Sequence, residues 1–284
     1  MTSSQGGQLK EGIVSNWFSG DVVANGIKIH TYRTRGDKPP LVLSHGFTDN
    51  GLCWTRVAQV LQADYDVIMP DARGHGFSEA PQEGYTTETL AADLAGLIQV
   101  LGLEKPGLIG HSMGAATTAL TAANTPDLVG AAILEDPPWR EDLFESTPEE
   151  REARAEEWRA SIMERKAQTR EEIMAFCREE NPTWAEVELG PWADSKLQLS
   201  LRIFDFLGAR FIPWPEIVPH ITCPTLLVTA DPKAGAIVTP QVAQEIVGVN
   251  ANIQVAHISG AGHNIRREQF EQYIQAVTEF LAGI

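Results

Sequence analysis

A chain of 284 residues, 43% hydrophobic and 21% charged, is long enough to bury a sizeable core as one large domain or two small ones. Its net charge of −16 argues against nucleic acid or an anionic membrane surface as partner. Cys53, Cys177 and Cys223 are odd in number and far apart, which excludes a disulfide framework and fits a reducing cytoplasm.

The first dozen residues read as a disordered tail, polar and Gly-rich from Met1 to Lys10 and without the apolar core of a signal peptide. No later run reaches transmembrane length. Val22 to His30 shows two strand-like runs about Asn25-Gly26, a hairpin signal. Leu41 to Ser44 is a short buried strand ending at His45-Gly46-Phe47, and a helical stretch from Cys53 to Leu61 follows. Asp66 to Pro70 is a second buried strand, running into Asp71-Ala72-Arg73-Gly74-His75-Gly76-Phe77-Ser78. Thr86 to Leu101 is amphipathic, with Thr87 as its N-cap and Gly102 closing it. Next come the run Gly107 to Ile109, a small-residue helix over Ala115 to Ala123, and a strand over Ala131 to Leu134.

From Arg140 to Glu180 charges of both signs crowd onto helical spacing, and Thr147-Pro148-Glu149-Glu150 marks a strong helix start. Most of those charges read as a solvated helix face. Five of the seven tryptophans (Trp139, Trp158, Trp184, Trp192, Trp214) fall between the Ala131 strand and the next one. An aromatic-rich insertion at strand ends can pack onto the body or roof a pocket, and Trp139 and Trp214 are candidate pocket residues, with His45. Alternation then resumes: strand Thr225 to Thr229, helix Pro240 to Val247, strand Ile253 to Ile258, and a last amphipathic helix Glu268 to Leu281. Strands alternating with helices predict a mostly parallel sheet covered on both faces, with ligands outside the carboxyl ends of the strands.

The chemistry centres on Gly110-His111-Ser112-Met113-Gly114, a G-x-S-x-G between a strand and a helix. The turn that context requires is tight enough to demand glycine on both sides of the serine. Its result is an exposed hydroxyl at a helix N-terminus, where developing negative charge is favoured. Serine is a weak nucleophile at neutral pH and needs a base held by a third group. His263, in a Gly-Ala-Gly-His loop after the last strand, is the candidate base; His111 should point away from the substrate.

With histidine last in chain order, the sequence resembles the α/β-hydrolases over roughly residues 22–284. The matching pieces are His45-Gly46-Phe47, Asp71-x-Arg73-Gly74-x-Gly76-x-Ser78, the Ser112 motif and Gly262-His263. The resemblance implies Ser112 as nucleophile, His263 as base, and the backbone N–H groups of Phe47 and Met113 as the oxyanion hole. It implies a structural role for Asp71 and Arg73. It also implies a core of residues 22–136 and 220–284, a tail over 1–21, and a helical cap over 137–219 inserted after the sixth strand. Most members take the acid from the loop at Asp231, but Asp231-Pro232-Lys233-Ala234-Gly235-Ala236 is irregular. Glu135-Asp136-Pro137-Pro138 and Ile237-Val238-Thr239-Pro240 resemble the branch that holds N-formylmaleamate deformylase and 2-(acetamidomethylene)succinate hydrolase. Asp136 is therefore the expected acid, with Asp231 the alternative and Glu135 a third candidate.

The expected function is a cytoplasmic serine hydrolase, acting on a small carboxylic ester, lactone or amide through an acyl-enzyme. Its partner would be a small acyl substrate, with no cofactor, no metal, no nucleic acid and no membrane, in a monomer or homodimer. Dehalogenase and epoxide hydrolase branches place aspartate where this chain has Ser112. A triad-retaining ligand receptor, a C–C hydrolase and a perhydrolase are the alternatives, and steady-state turnover separates the receptor from the enzymes. Arg266 and Arg267, beside His263, could meet a substrate carboxylate or lie on the surface of a helix's first turn.

Overall fold

Eight strands form one sheet in the computed structural model, which describes residues 17–284. The disordered tail expected over the first dozen residues lies outside those described. β1 (Phe18–Ala24) and β2 (Ile27–Arg33) form an antiparallel hairpin, with Asn25 and Gly26 both at positive φ (48° and 77°) as a two-residue turn requires. The first strand starts at Phe18, earlier than the alternation from Val22 suggests. β3 (Pro40–Ser44), β4 (Asp66–Pro70), β5 (Gly107–His111), β6 (Ala131–Glu135), β7 (Thr225–Ala230) and β8 (Ile253–Ile258) are parallel, in the spatial order β1-β2-β4-β3-β5-β6-β7-β8. β4, β6 and β7 are buried at every residue, which is why each carries a continuous apolar stretch (Val67 to Pro70, Ala131 to Leu134, Leu226 to Val228) rather than an alternating pattern. The edge strands β1 and β8 keep exposed positions.

Successive residues of a strand point to opposite faces, and the two cores divide that way. Leu41 and Leu43 of β3 belong to one apolar cluster, with Trp54, Tyr273 and Val277; Val42 between them belongs to the other, with Leu94, Ile98 and Ala119. The first face is covered by α1 (Thr55–Leu61) and the second by α2 (Thr87–Val100) and α3 (Met113–Asn124). Thr86, not Thr87, caps α2: its hydroxyl accepts from Thr89 N at 3.2 Å, while Thr87 is already helical and buried.

Between β6 and β7 the chain leaves the sheet. It forms α4 (Glu141–Phe144), α5 (Pro148–Lys166), α6 (Arg170–Glu180), α7 (Glu186–Gln198), α8 (Asp205–Gly208) and α9 (Trp214–Ile217). Thr147 and Thr169 make complete capping boxes with Glu150 and Glu172, which fixes where α5 and α6 begin. A third apolar cluster joins this insertion to the sheet, packing Ala155, Ile162, Phe204 and Phe206 with Met113 and Leu90. The chain closes with α10 (Pro240–Val249), α11 (Ile265–Glu268) and α12 (Phe270–Ala282); α12 is the expected C-terminal helix, begun two residues after Glu268, and the short α11 precedes it. Among the described residues no helix is long and apolar enough to cross a membrane.

Candidate active site

The turn between β5 and α3 places Ser112 at φ 52°, ψ −117°, a backbone region in which a non-glycine residue costs on the order of 1–3 kcal/mol. Its neighbours explain the two glycines. A Cβ on Gly110 would collide with the Gly114 carbonyl, and one on Gly114 with the carbonyls of Ser44 and His45. The strained turn is held by Ser112 N–H donating to Glu135 O at 2.9 Å and by Ser112 O accepting from Ala115 and Ala116.

His263 reaches the same place from the loop after β8. Its Nδ1 lies 2.7 Å from Asp136 Oδ2, which leaves Nε2 as the ring nitrogen open to a substrate. Asp136 follows β6 directly and is fully buried, with its own backbone at φ 43°. Its carboxylate accepts from Ile237 N (2.8 Å to Oδ2, 3.0 Å to Oδ1) and Val238 N (2.9 Å to Oδ1). The Ile237-Val238-Thr239-Pro240 run that stood out in the sequence is thus the seat of the acid. Asp231 lies elsewhere: it accepts from Gly260 N at 2.7 Å and meets His257 at 3.1 Å, with 41% of its side chain exposed. Of the two aspartates weighed for His263, the structure brings Asp136 to it.

Ser112 and His263 line one cavity of about 420 Å³, together with Phe47 and Met113. The rest of its wall comes largely from the insertion: Leu143, Arg154, Trp158, Phe206, Leu207 and Phe211, with Arg140 at the start of the same segment. Phe47 packs against Trp158, Phe204 and Phe206 at centroid distances of 5.6–5.8 Å. Thr48, next along the loop, sits at φ 67° and is clamped from α7: Lys196 Nζ donates to its carbonyl at 2.8 Å and its hydroxyl at 3.0 Å.

The expected pocket residues are placed differently. His45 is buried with both ring nitrogens spent on backbone, Nδ1 donating to Gly46 O and Nε2 accepting from Ala72 N. Trp139 is 1% exposed within the core on the α2 and α3 side, and Trp214 packs against the same core. None of the three lines the cavity; Trp158 does, and it is 45% exposed. Asp71 and Arg73 hold their loop, Asp71 accepting from Gly51 and Phe77 amides and Arg73 bonding Asp93 twice, at 2.6 and 2.7 Å.

Arg266 and Arg267 are neither surface residues nor free for a substrate. Both are buried in a cluster of three cations and three anions, Arg266, Arg267 and Lys196 with Asp49, Glu135 and Glu188. Asp49 is at the centre, 2.9 Å from Arg267, 3.2 Å from Arg266 and 3.4 Å from Lys196. Its carboxyl is held far below the ordinary value: burial opposes ionisation, and the charges of Arg267, Lys196 and Arg266 overcome it. Three aromatic faces cover the cations, Trp54 under Arg266, Trp184 under Arg267 and Trp192 under Lys196. Glu135, the third acid candidate, belongs to this cluster through Arg266. Sequence reasoning missed the cluster, since its partners lie far apart in the chain. His111 is tied in beside it, Nε2 donating to the His263 carbonyl at 3.0 Å and so fixing the loop that carries the candidate base.

The family described as alpha/beta hydrolase fold matches residues 39–266. N-formylmaleamate deformylase of Pseudomonas putida is 28% identical over 267 residues, covering 92% of this chain and 96% of that one. 2-(Acetamidomethylene)succinate hydrolase of Mesorhizobium japonicum is 36% identical over 104 residues, 37% of each chain. The crystal structure of the N-formylmaleamic acid deformylase from Pseudomonas putida S16 superposes with a TM-score of 0.78 at 26% identity, covering 92% of this chain and all of that one.

Proposed function

The chain belongs to the α/β-hydrolase fold family and is a hydrolase, and from that premise we propose that it cleaves a small carboxylic ester, lactone or linear amide through a serine acyl-enzyme. One observation carries the reading: Ser112, on its strained turn, shares a cavity with a histidine whose other nitrogen is bound by a buried carboxylate. The relatives' names favour a small acyl compound, a formyl amide in one case and an acetamido compound in the other.

In this scheme His263 Nε2 takes the Ser112 proton as Oγ attacks the acyl carbon. Asp136 keeps the proton on Nδ1, which selects the productive tautomer and stabilises the imidazolium. The amides of Phe47 and Met113 donate to the oxyanion, where each such donor contributes about 3 kcal/mol in studied cases. The imidazolium then protonates the leaving oxygen or nitrogen, and the acyl group stays on Ser112. Water, deprotonated by His263, attacks the ester, and collapse of the second tetrahedral intermediate frees the acid and the serine. The wall formed by Phe47, Phe206 and Phe211 is apolar, which strengthens each polar contact beside it.

The test is covalent. A fluorophosphonate should add once to the wild type at Ser112, and Ser112→Ala should abolish both the adduct and turnover of short-chain esters. An unlabelled wild-type protein with normal folding, or an adduct on a different serine, would overturn the scheme.

A further inference from the structure

On the acyl-enzyme reading the Phe47 amide is one of two oxyanion donors, so whatever fixes the backbone at Phe47 bears on the rate. Phe47 and Thr48 are the central residues of a turn closed by Asp49 N–H donating to Gly46 O at 3.1 Å. Thr48 is at φ 67° and Phe47 is not at positive φ, the combination a type II turn requires, with glycine or asparagine the usual third residue. For a β-branched residue this conformation is an outlier. A type I turn, with the peptide between Phe47 and Thr48 turned over, suits threonine better. The group that holds the strained form comes from the insertion. Lys196, in the last turn of α7, is buried and donates from Nζ to Thr48 O at 2.8 Å and to Thr48 Oγ1 at 3.0 Å. The same ammonium reaches Ser195 Oγ at 3.2 Å and Asp49 Oδ1 at 3.4 Å, and it lies over the Trp192 ring. Two residues on, Gln198 Oε1 accepts from Asn50 Nδ2 at 2.9 Å. The end of α7 thus grips Thr48, Asp49 and Asn50, the residues that directly follow Phe47.

We propose that Lys196 is a positioning residue for the oxyanion hole: its ammonium holds Thr48 in the strained turn and so aims the Phe47 amide at the oxyanion formed on Ser112. This rests on the serine-hydrolase reading of the same cavity. Lys196 belongs to the insertion and Phe47 to the core, so seating the insertion on the core completes the site. An ammonium suits the task, since its three donors serve a carbonyl, a hydroxyl and a carboxylate together. Without it the turn relaxes toward the form threonine prefers, and a catalytic group misplaced by about 1 Å can lose ~100-fold in rate. Ground-state binding against the apolar wall is left as it was.

The rate at which a fluorophosphonate labels Ser112 reads the hole, because the phosphoryl oxygen takes the oxyanion's place. Lys196→Met should slow that labelling, and kcat on p-nitrophenyl butyrate, by ~10–100-fold, with KM within ~3-fold of the wild type. In a Thr48→Gly background, where glycine adopts φ 67° without help, the same substitution should cost at least ~5-fold less. A lysine needed only to balance the buried charges would cost the same in both backgrounds. Thr48→Val and Thr48→Gly leave every charge in place and decide the matter if Lys196→Met fails to fold. Both lack the hydroxyl but only valine keeps the strain, so Thr48→Val should label at least ~3-fold more slowly than Thr48→Gly. Equal losses in the two backgrounds, or equal rates for the two Thr48 variants, overturn the proposal. A folded wild type that forms no adduct overturns the serine scheme, and the proposal falls with it.

Discussion

Asp136 occupies a setting in which neither carboxylate oxygen can become an amide without loss. Oδ2 faces two donors, His263 Nδ1 and Ile237 N, and Oδ1 faces the amides of Ile237 and Val238. Asparagine must turn its NH₂ toward one of these pairs, so a donor meets donors in either orientation. The lost charge also withdraws support from the imidazolium and frees the ring to take the wrong tautomer, which lowers kcat about 10⁴-fold in a well-studied protease. Asp136→Asn should lower kcat by at least ~10²-fold, and Asp231→Asn, whose exposed carboxylate holds only His257 and Gly260, by less than ~10-fold. Steady-state kinetics on both variants, with folding checked by circular dichroism, decides the matter. If Asp231→Asn is the crippled variant, the acid has been misassigned.

At the scale of elements, the loop after β3 is fixed from two directions at once. α7 reaches it through Lys196, and α11 through Arg266 and Arg267, all converging on Thr48 and Asp49 beside the Phe47 amide. Asp49 is the anion three cations share, so Asp49→Asn leaves buried positive charge uncompensated and should destabilise the fold by about 3–5 kcal/mol. The exposed Arg178–Glu186 pair of α6 and α7 has a shorter contact, 2.6 Å, yet Glu186→Gln should leave stability almost unchanged, because solvent screens it. Urea titration of both variants measures the contrast, and comparable losses would contradict it. The same loop shows which information a sequence carries. Elements set by local pattern were legible: the unbroken runs of β3 to β7, the Asn25-Gly26 turn, the Thr147 capping box and the Ser112 elbow. The family resemblance added the placement of His263 and Asp136. Arg266 looked like a surface residue or a substrate contact, since its partners Glu135 and Asp49 are 131 and 217 positions away and no periodicity joins them. His45, Trp139 and Trp214 were misplaced for a related reason. A strand end or an aromatic-rich insertion narrows a residue to a region, whereas cavity or core is decided by tertiary packing.

The whole molecule responds to pH chiefly through buried histidines. His45, His75 and His111 are buried, and desolvation lowers the pKa of each ring below its ordinary value, His75 to about 3. Hydrogen bonding agrees for His45, whose Nε2 must stay unprotonated to accept from Ala72 N–H. In the unfolded chain the same rings take up a proton near pH 6.5. The folded values being depressed, this contribution to stability is complete above pH ~6.5 and is lost as pH falls toward the folded values, because the unfolded state binds protons first. Burial raises Asp71 and Glu135, which act in the opposite sense, while the depressed Asp49 adds to the loss. Carboxylates in an unfolded chain titrate near pH 4, so the interval from pH 6.5 down to about 5.5 belongs mainly to the histidines. His75 and His111, held well below that interval, each lose about 1 kcal/mol between pH 7 and 5.5, roughly 2–3 kcal/mol together, and His45 acts in the same direction. Urea unfolding at half-unit steps across that interval should show the decline, and His75→Gln should make it shallower by roughly a third to a half. Stability independent of pH from 7 to 5.5 would mean that these rings are protonated in the folded state or are not buried in solution.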